Sequence, residues 1–137
     1  MNNKGFTLIE LLATIALLAV IATISFVAIS GVIEQGKVRD CETLVNNIKS
    51  ATSEYVSDNR YDKEFIRIVS DNVAIIDASY LTGGNYLKGD IINPFNKVKI
   101  TPSTIKINIT LNDNYTVKKV KVFNNDVEIN CENGKWW

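Results

Sequence analysis

Few residues in this chain can do chemistry, and the most conspicuous is one carboxylate. Glu10 stands one helical turn into an apolar stretch, and the run from Leu11 to Ile33 that follows it, about 23 residues, carries no charge. A lone acid at membrane depth costs on the order of 3 kcal/mol at the bilayer centre and less near its edge. Nothing from Leu11 to Ile33 can neutralise it, so its partner is expected on another chain or on a newly made terminus. The other reactive groups are sparse. The chain has no histidine, which removes the commonest general base, any Ser-His or Cys-His pair, and the commonest zinc ligand. Cys41 and Cys131 are too few and too far apart for a thiolate metal centre. A calcium site wants about six oxygens or more, whereas the acids of the middle segment are Asp77 and Asp90. Catalysis is therefore not expected, nor is a metal or any other cofactor. Charge pairing and thiol pairing remain.

The elements that must position these groups follow from hydropathy. The chain has 137 residues, enough for one globular domain, and its 46% of hydrophobic residues is concentrated in the first quarter. As a helix the uncharged run would be roughly 35 Å long, against a bilayer core of about 30 Å. Lys4 precedes the run and no acid comes before Glu10, which places the N-terminus in the cytoplasm and the remainder outside. The run exceeds the apolar core of a secretory signal, about 7–15 residues, and leads without a break into an amphipathic pattern. A lipoprotein signal would need a cysteine at its end, and the first is Cys41. A signal-anchor satisfies these facts but leaves Glu10 unexplained.

Lys4-Gly5-Phe6-Thr7-Leu8-Ile9-Glu10-Leu11-Leu12 resembles the prepilin motif of type IV pilins and type II secretion pseudopilins. The resemblance implies a five-residue leader, residues 1–5, removed by a prepilin peptidase between Gly5 and Phe6, followed by N-methylation of Phe6. It makes Phe6, Thr7 and Glu10 the assembly residues, with Glu10 paired to the N-terminal amine of a neighbouring subunit. Glycine at the cut lets the backbone enter a protease site closely, and the helix dipole favours an acid in the first turn. The implied partners are other pilin subunits, the peptidase, an assembly platform, and the membrane before assembly. The location is the cytoplasmic membrane, single-pass, and afterwards an extracellular filament. Many members carry a proline midway along the apolar helix. This chain has none before Pro94, with Gly31 and Gly36 the only helix-weakening residues nearby, at about 1 kcal/mol each.

Residues 6–33 are thus expected to form the membrane and filament-core helix, and 34–137 an amphipathic helix with a globular domain. Val38, Cys41, Val45, Ile48, Thr52 and Tyr55, flanked by Leu44, Ala51 and Val56, recur at three- and four-residue steps and predict a buried stripe. One helix from Phe6 to about Ser57 follows, ended by the turn-prone 58–62. Residues 64–76 suit short strands or an anchored loop, and Asp77 suits the cap of a short helix ended by Gly83-Gly84. Ile105, Ile107, Ile109 and Leu111 alternate with polar residues as a half-buried strand. Asn112-Asp113-Asn114 marks a hairpin, and the apolar parity then shifts between Val117 and Val120, which a bulge at Lys118-Lys119 would absorb. Val127, Ile129 and Cys131 suit a last strand. The fold class is α+β: a long helical spine on an antiparallel sheet of three to four strands.

Cys41 on the stripe and Cys131 on the buried parity of the last strand would face one interface, either as a disulfide or as two buried thiols; export to an oxidising side favours the bond. Lys118, Lys119 and Lys121, with Lys106, suit a solvated strand face balanced by Asp113 and Asp126 better than a DNA site. Lys+Arg and Asp+Glu are 15 each, so no overall charge draws nucleic acid. Trp136-Trp137 suit either packing at the sheet edge or an exposed adhesive patch. Three functions fit: a type IV pilus subunit for adhesion, motility or colonisation; a pseudopilin of a secretion or competence machine; or an anchored binding module that never polymerises.

Overall fold

The computed structural model describes residues 5–132, leaving most of the leader and the Trp136-Trp137 pair outside the described residues. The first element is α1, Leu8–Asn59, 52 residues without an interruption. It extends two residues beyond the expected Ser57 because Asn59 donates its side-chain amide to the Tyr55 carbonyl at 2.8 Å. The chain divides between Gly36 and Lys37 into two compact units.

In the first unit every described side chain from Phe6 to Gln35 is exposed. The helix is long and apolar enough to cross a membrane. Thr14, Thr23 and Ser25 donate their hydroxyls to the carbonyls of Leu11, Val20 and Ile21 at 2.7–2.8 Å. Hydroxyls satisfied on their own helix can sit in hydrocarbon without recruiting a neighbour.

The second unit holds the core. Cys41, Val45, Ile48, Ala51, Thr52 and Val56 are buried on α1. Thr52, the polar member of this stripe, donates its hydroxyl to Ile48 at 2.7 Å. After α1, Asp62 accepts from the Glu64 N–H at 2.7 Å and starts α2, Lys63–Ile68. β1, Val69–Ser70, and β2, Val73–Asp77, form a hairpin through Asp71 and Asn72, both at positive φ. Such a two-residue turn matches the natural strand twist, and Asp and Asn tolerate its left-handed backbone. Asp77 then caps α3, Ala78–Gly83, by accepting from the Ser79 N–H at 2.8 Å, and Gly84 follows as expected.

A second sheet of two strands, β3 (Ile91–Ile92) and β4 (Lys99–Ile100), folds the Asn93-Pro94-Phe95 segment into a hairpin. Asn93 accepts from the Phe95 N–H at 2.9 Å within it. A short 3-10 turn, Pro102–Thr104, leads to β5, Ile105–Leu111, then β6, Val117–Asn124, and β7, Val127–Glu128. The main sheet has the order β1-β2-β5-β6-β7 with all neighbours antiparallel. It has five strands where periodicity pointed to three or four. The addition is the β1–β2 hairpin: β1 has only two residues, and Val73-Ala74-Ile75-Ile76 of β2 is apolar throughout, so no alternation shows in the sequence. The bulge lies at the expected place: Thr110 faces Lys119 while Leu111 faces Val117, leaving Lys118 unmatched. The last strand is shorter than expected. β7 stops at Glu128, and Ile129 adds a bond from its N–H to the Val122 carbonyl at 3.0 Å.

Ile105, Ile107 and Ile109 of β5 are fully buried and form one core with Ala74 and Ile76 of β2, Val122 of β6 and the α1 stripe. Ile107 sits on the central strand between Ile76 and Val122. An Ile107→Ala change is expected to lower the unfolding free energy by about 2–5 kcal/mol, read by denaturant titration, because the site is walled by other apolar side chains and cannot collapse.

Candidate assembly site at the start of the long helix

Gly5, Phe6 and Thr7 precede α1 in non-helical backbone, and all three are exposed. A Cβ built on Gly5 meets nothing within 4 Å. Packing among the described residues therefore does not demand glycine there. Phe6 is 82% exposed, as a side chain without a place in its own fold would be.

Glu10 has a partner in its own chain, upstream of it. The Thr7 N–H and the Thr7 hydroxyl both donate to Glu10 Oε2 at 2.9 Å, and the Glu10 N–H points back to Thr7 Oγ1 at 3.4 Å. The Thr7 carbonyl accepts from the Leu11 N–H at 3.2 Å. Thr7-Leu8-Ile9-Glu10 is thus a capping box, in which two otherwise orphaned donors at the helix start are satisfied reciprocally. Thr7 is thus a hydrogen-bonding partner within the chain, distinct from the charge partner expected on another chain or on a new terminus. The spacing Thr-x-x-Glu before an apolar run is the sequence signal for it. Thr7 supplies neutral donors only, so the charge of Glu10 is hydrogen-bonded but not neutralised. Among the described residues it makes no ion pair.

The remaining candidates lie in the second unit. Cys41 and Cys131 are joined in a disulfide with Cα atoms 5.6 Å apart and a sequence separation of 90. Cys41 is fully buried and Cys131 partly so. Asp77 is occupied as a helix cap, and Asp90 pairs with Lys99 at 2.7 Å. Among the described residues no three metal-ligating side chains come together. Of the lysines, Lys106 pairs with Asp126 at 2.7 Å and Lys121 with Glu128 at 2.9 Å. Asp113 instead accepts from the Asn72 side-chain amide at 3.1 Å. Lys118 and Lys119 lie on β6 between Val117 and Lys121, a stretch that β7 does not pair. Lysines along an open edge discourage strand pairing with another chain. That gives the run a structural reason without nucleic acid.

Residues 1–26 match the family described as the prokaryotic N-terminal methylation motif. No curated protein and no solved structure matches the chain. The matched stretch contains Gly5, Phe6, Thr7 and Glu10 and opens the apolar helix, so the chain carries an N-terminal methylation motif, one that supports a type IV pilin-like or pseudopilin precursor.

Proposed function

We propose that the chain is a structural subunit of a type IV pilus, inserted in the cytoplasmic membrane and then built into an extracellular filament through α1. The observation that carries this reading is the exposed apolar length of α1, which opens inside the methylation motif. Leu8, Ile9, Leu11, Leu12, Ile15, Leu17 and Leu18 are all more than half exposed. That surface has no partner among the described residues, and water is the one environment it cannot favour. Lipid can cover it before assembly, and equivalent helices of other subunits afterwards. In this reading prepilin peptidase cuts between Gly5 and Phe6, Phe6 is N-methylated, and Glu10 supplies the negative charge for a neighbour's Phe6 amine. The acid needs no large rearrangement, since the capping box already presents it at the helix start.

The compact unit from Lys37 to the C-terminus is small, which also suits a pseudopilin of a secretion or competence machine. Both readings require the same processed end. Mass spectrometry of the mature chain is expected to find it beginning at Phe6 and heavier by about 14 Da for one methyl group. A mature chain that retains Gly5 would remove both readings and leave an anchored binding module. Immunogold labelling separates the two: long surface filaments carry the label for a pilus, and none do for a pseudopilus.

A further inference from the structure

The sequence contains two Asn-x-Thr triplets without proline at the middle position, Asn108-Ile109-Thr110 and Asn114-Tyr115-Thr116. This is the acceptor pattern for attaching a glycan to an asparagine side chain, and where it is used it lies on a surface loop. The fold separates the two. Asn108 is half-buried within β5, whose backbone is flanked at that point by Ile75 of β2 and Lys121 of β6. An enzyme could grip that triplet only by opening both ladders. Asn114 is exposed in the loop between β5 and β6, outside any strand.

The side chains around Asn114 leave its amide nitrogen free. Asn114 Oδ1 accepts from the Thr116 N–H at 3.2 Å and from the Thr116 hydroxyl at 2.6 Å. The Asn112 side-chain amide donates to the same hydroxyl oxygen at 2.9 Å, which turns the hydroxyl proton toward Asn114. Asn114 Nδ2 donates to no acceptor among the described residues. The turn therefore uses only the oxygen, and an aspartate would serve it equally well. A glycosyl acceptor needs the nitrogen. The two bonds to Oδ1 also favour the deprotonated amide, whose negative charge rests largely on that oxygen.

We propose that Asn114 is a glycan attachment site whose donor is a glycan linked to a polyprenyl diphosphate. Asn114 Nδ2 attacks the anomeric carbon of the sugar, a C–N bond forms, and the bond from that carbon to the diphosphate oxygen breaks. The polyprenyl diphosphate leaves with the bonding pair, and one Nδ2 proton passes to a base of the membrane transferase. The donor is lipid-linked because the globular unit folds on the outer side, where its disulfide forms and nucleotide sugars are absent. To that extent the inference rests on the outward placement in the proposed function.

The test is peptide mapping by mass spectrometry of the mature chain from its own cells, digested with chymotrypsin so that a cut after Leu111 separates the two triplets. The Asn114 peptide is expected to carry a sugar mass and the Asn108 peptide none. Asn114→Asp, which keeps the acceptor of the turn, should abolish the modification. Thr116→Val should lower its occupancy about tenfold by loss of the hydroxyl bond, and Thr116→Ser should restore it. A bare Asn114, or a glycan on Asn108, overturns the inference. The N-terminal peptide of the same digest keeps the two questions apart. A start at methylated Phe6 beside a bare Asn114 leaves the filament reading standing. Retention of Gly5 beside a glycosylated Asn114 removes only the filament reading, since an anchored module is exported too.

Discussion

Breaking the Cys41–Cys131 bond is expected to lower the unfolding free energy of the globular unit by about 4–5 kcal/mol, a large share of what a domain of this size has. The estimate follows from the 90-residue separation of the two cysteines, since a closed loop of that length strongly restricts the unfolded chain. Local structure makes the dependence sharper. β7 contains only Val127 and Glu128, both exposed, followed by the Ile129 N–H bond to Val122 and an isolated bridge at Asn130. Beyond β7, Ile129 and Cys131 pack against the core only in part, whereas Cys41 is fixed in the core at no exposure. Denaturant titration with and without reductant, checked with a Cys41→Ser/Cys131→Ser variant, measures the loss. Hydrogen exchange at residues 127–132 should rise on reduction while β5 stays protected. A stability difference below about 1 kcal/mol would mean that the bond adds little beyond packing. The intact chain should also weigh about 2 Da less than the reduced one.

The parts of this fold that were legible in the sequence are those with a sustained period. The α1 stripe from Cys41 to Val56 is buried as its three- and four-residue spacing requires, and β5 spans Ile105–Leu111 as alternation indicates. Even the parity change in β6 has its bulge at Lys118. Elements of two residues have no period to read. β1, β3, β4 and β7 are set by turns and by neighbours instead. Asp71-Asn72 and Asn125-Asp126 hold the positive φ values that make the two tight hairpins. At the start of α1 the Thr7-x-x-Glu10 spacing is legible as a capping box. The apolar residues after Glu10 offer its charge no partner, while its hydrogen bonds run to Thr7 before it.

The capping box changes what a substitution at Glu10 means. Leucine there removes the cap and the charge together. Loss of the cap costs on the order of 1 kcal/mol at the helix start, and loss of the charge removes the counter-ion for a neighbour's amine. Glutamine separates the two, because its side-chain oxygen can accept from the Thr7 N–H as a glutamate does, without the charge. Glu10→Leu and Glu10→Gln are both expected to be exported and cut before Phe6, as neither alters Gly5. Both should then be lost from filaments, since a neutral amide in an apolar filament core leaves the neighbouring ammonium unpaired at a cost of several kcal/mol.

The most direct measurement is therefore the amount of Glu10→Gln chain in sheared surface filaments, relative to its processed amount in the membrane. If Glu10 pairs with the amine of the next subunit, incorporation falls at least about tenfold while processing and α1 remain intact. Incorporation at the level of the unaltered chain would contradict that pairing and leave Glu10 as a helix cap alone.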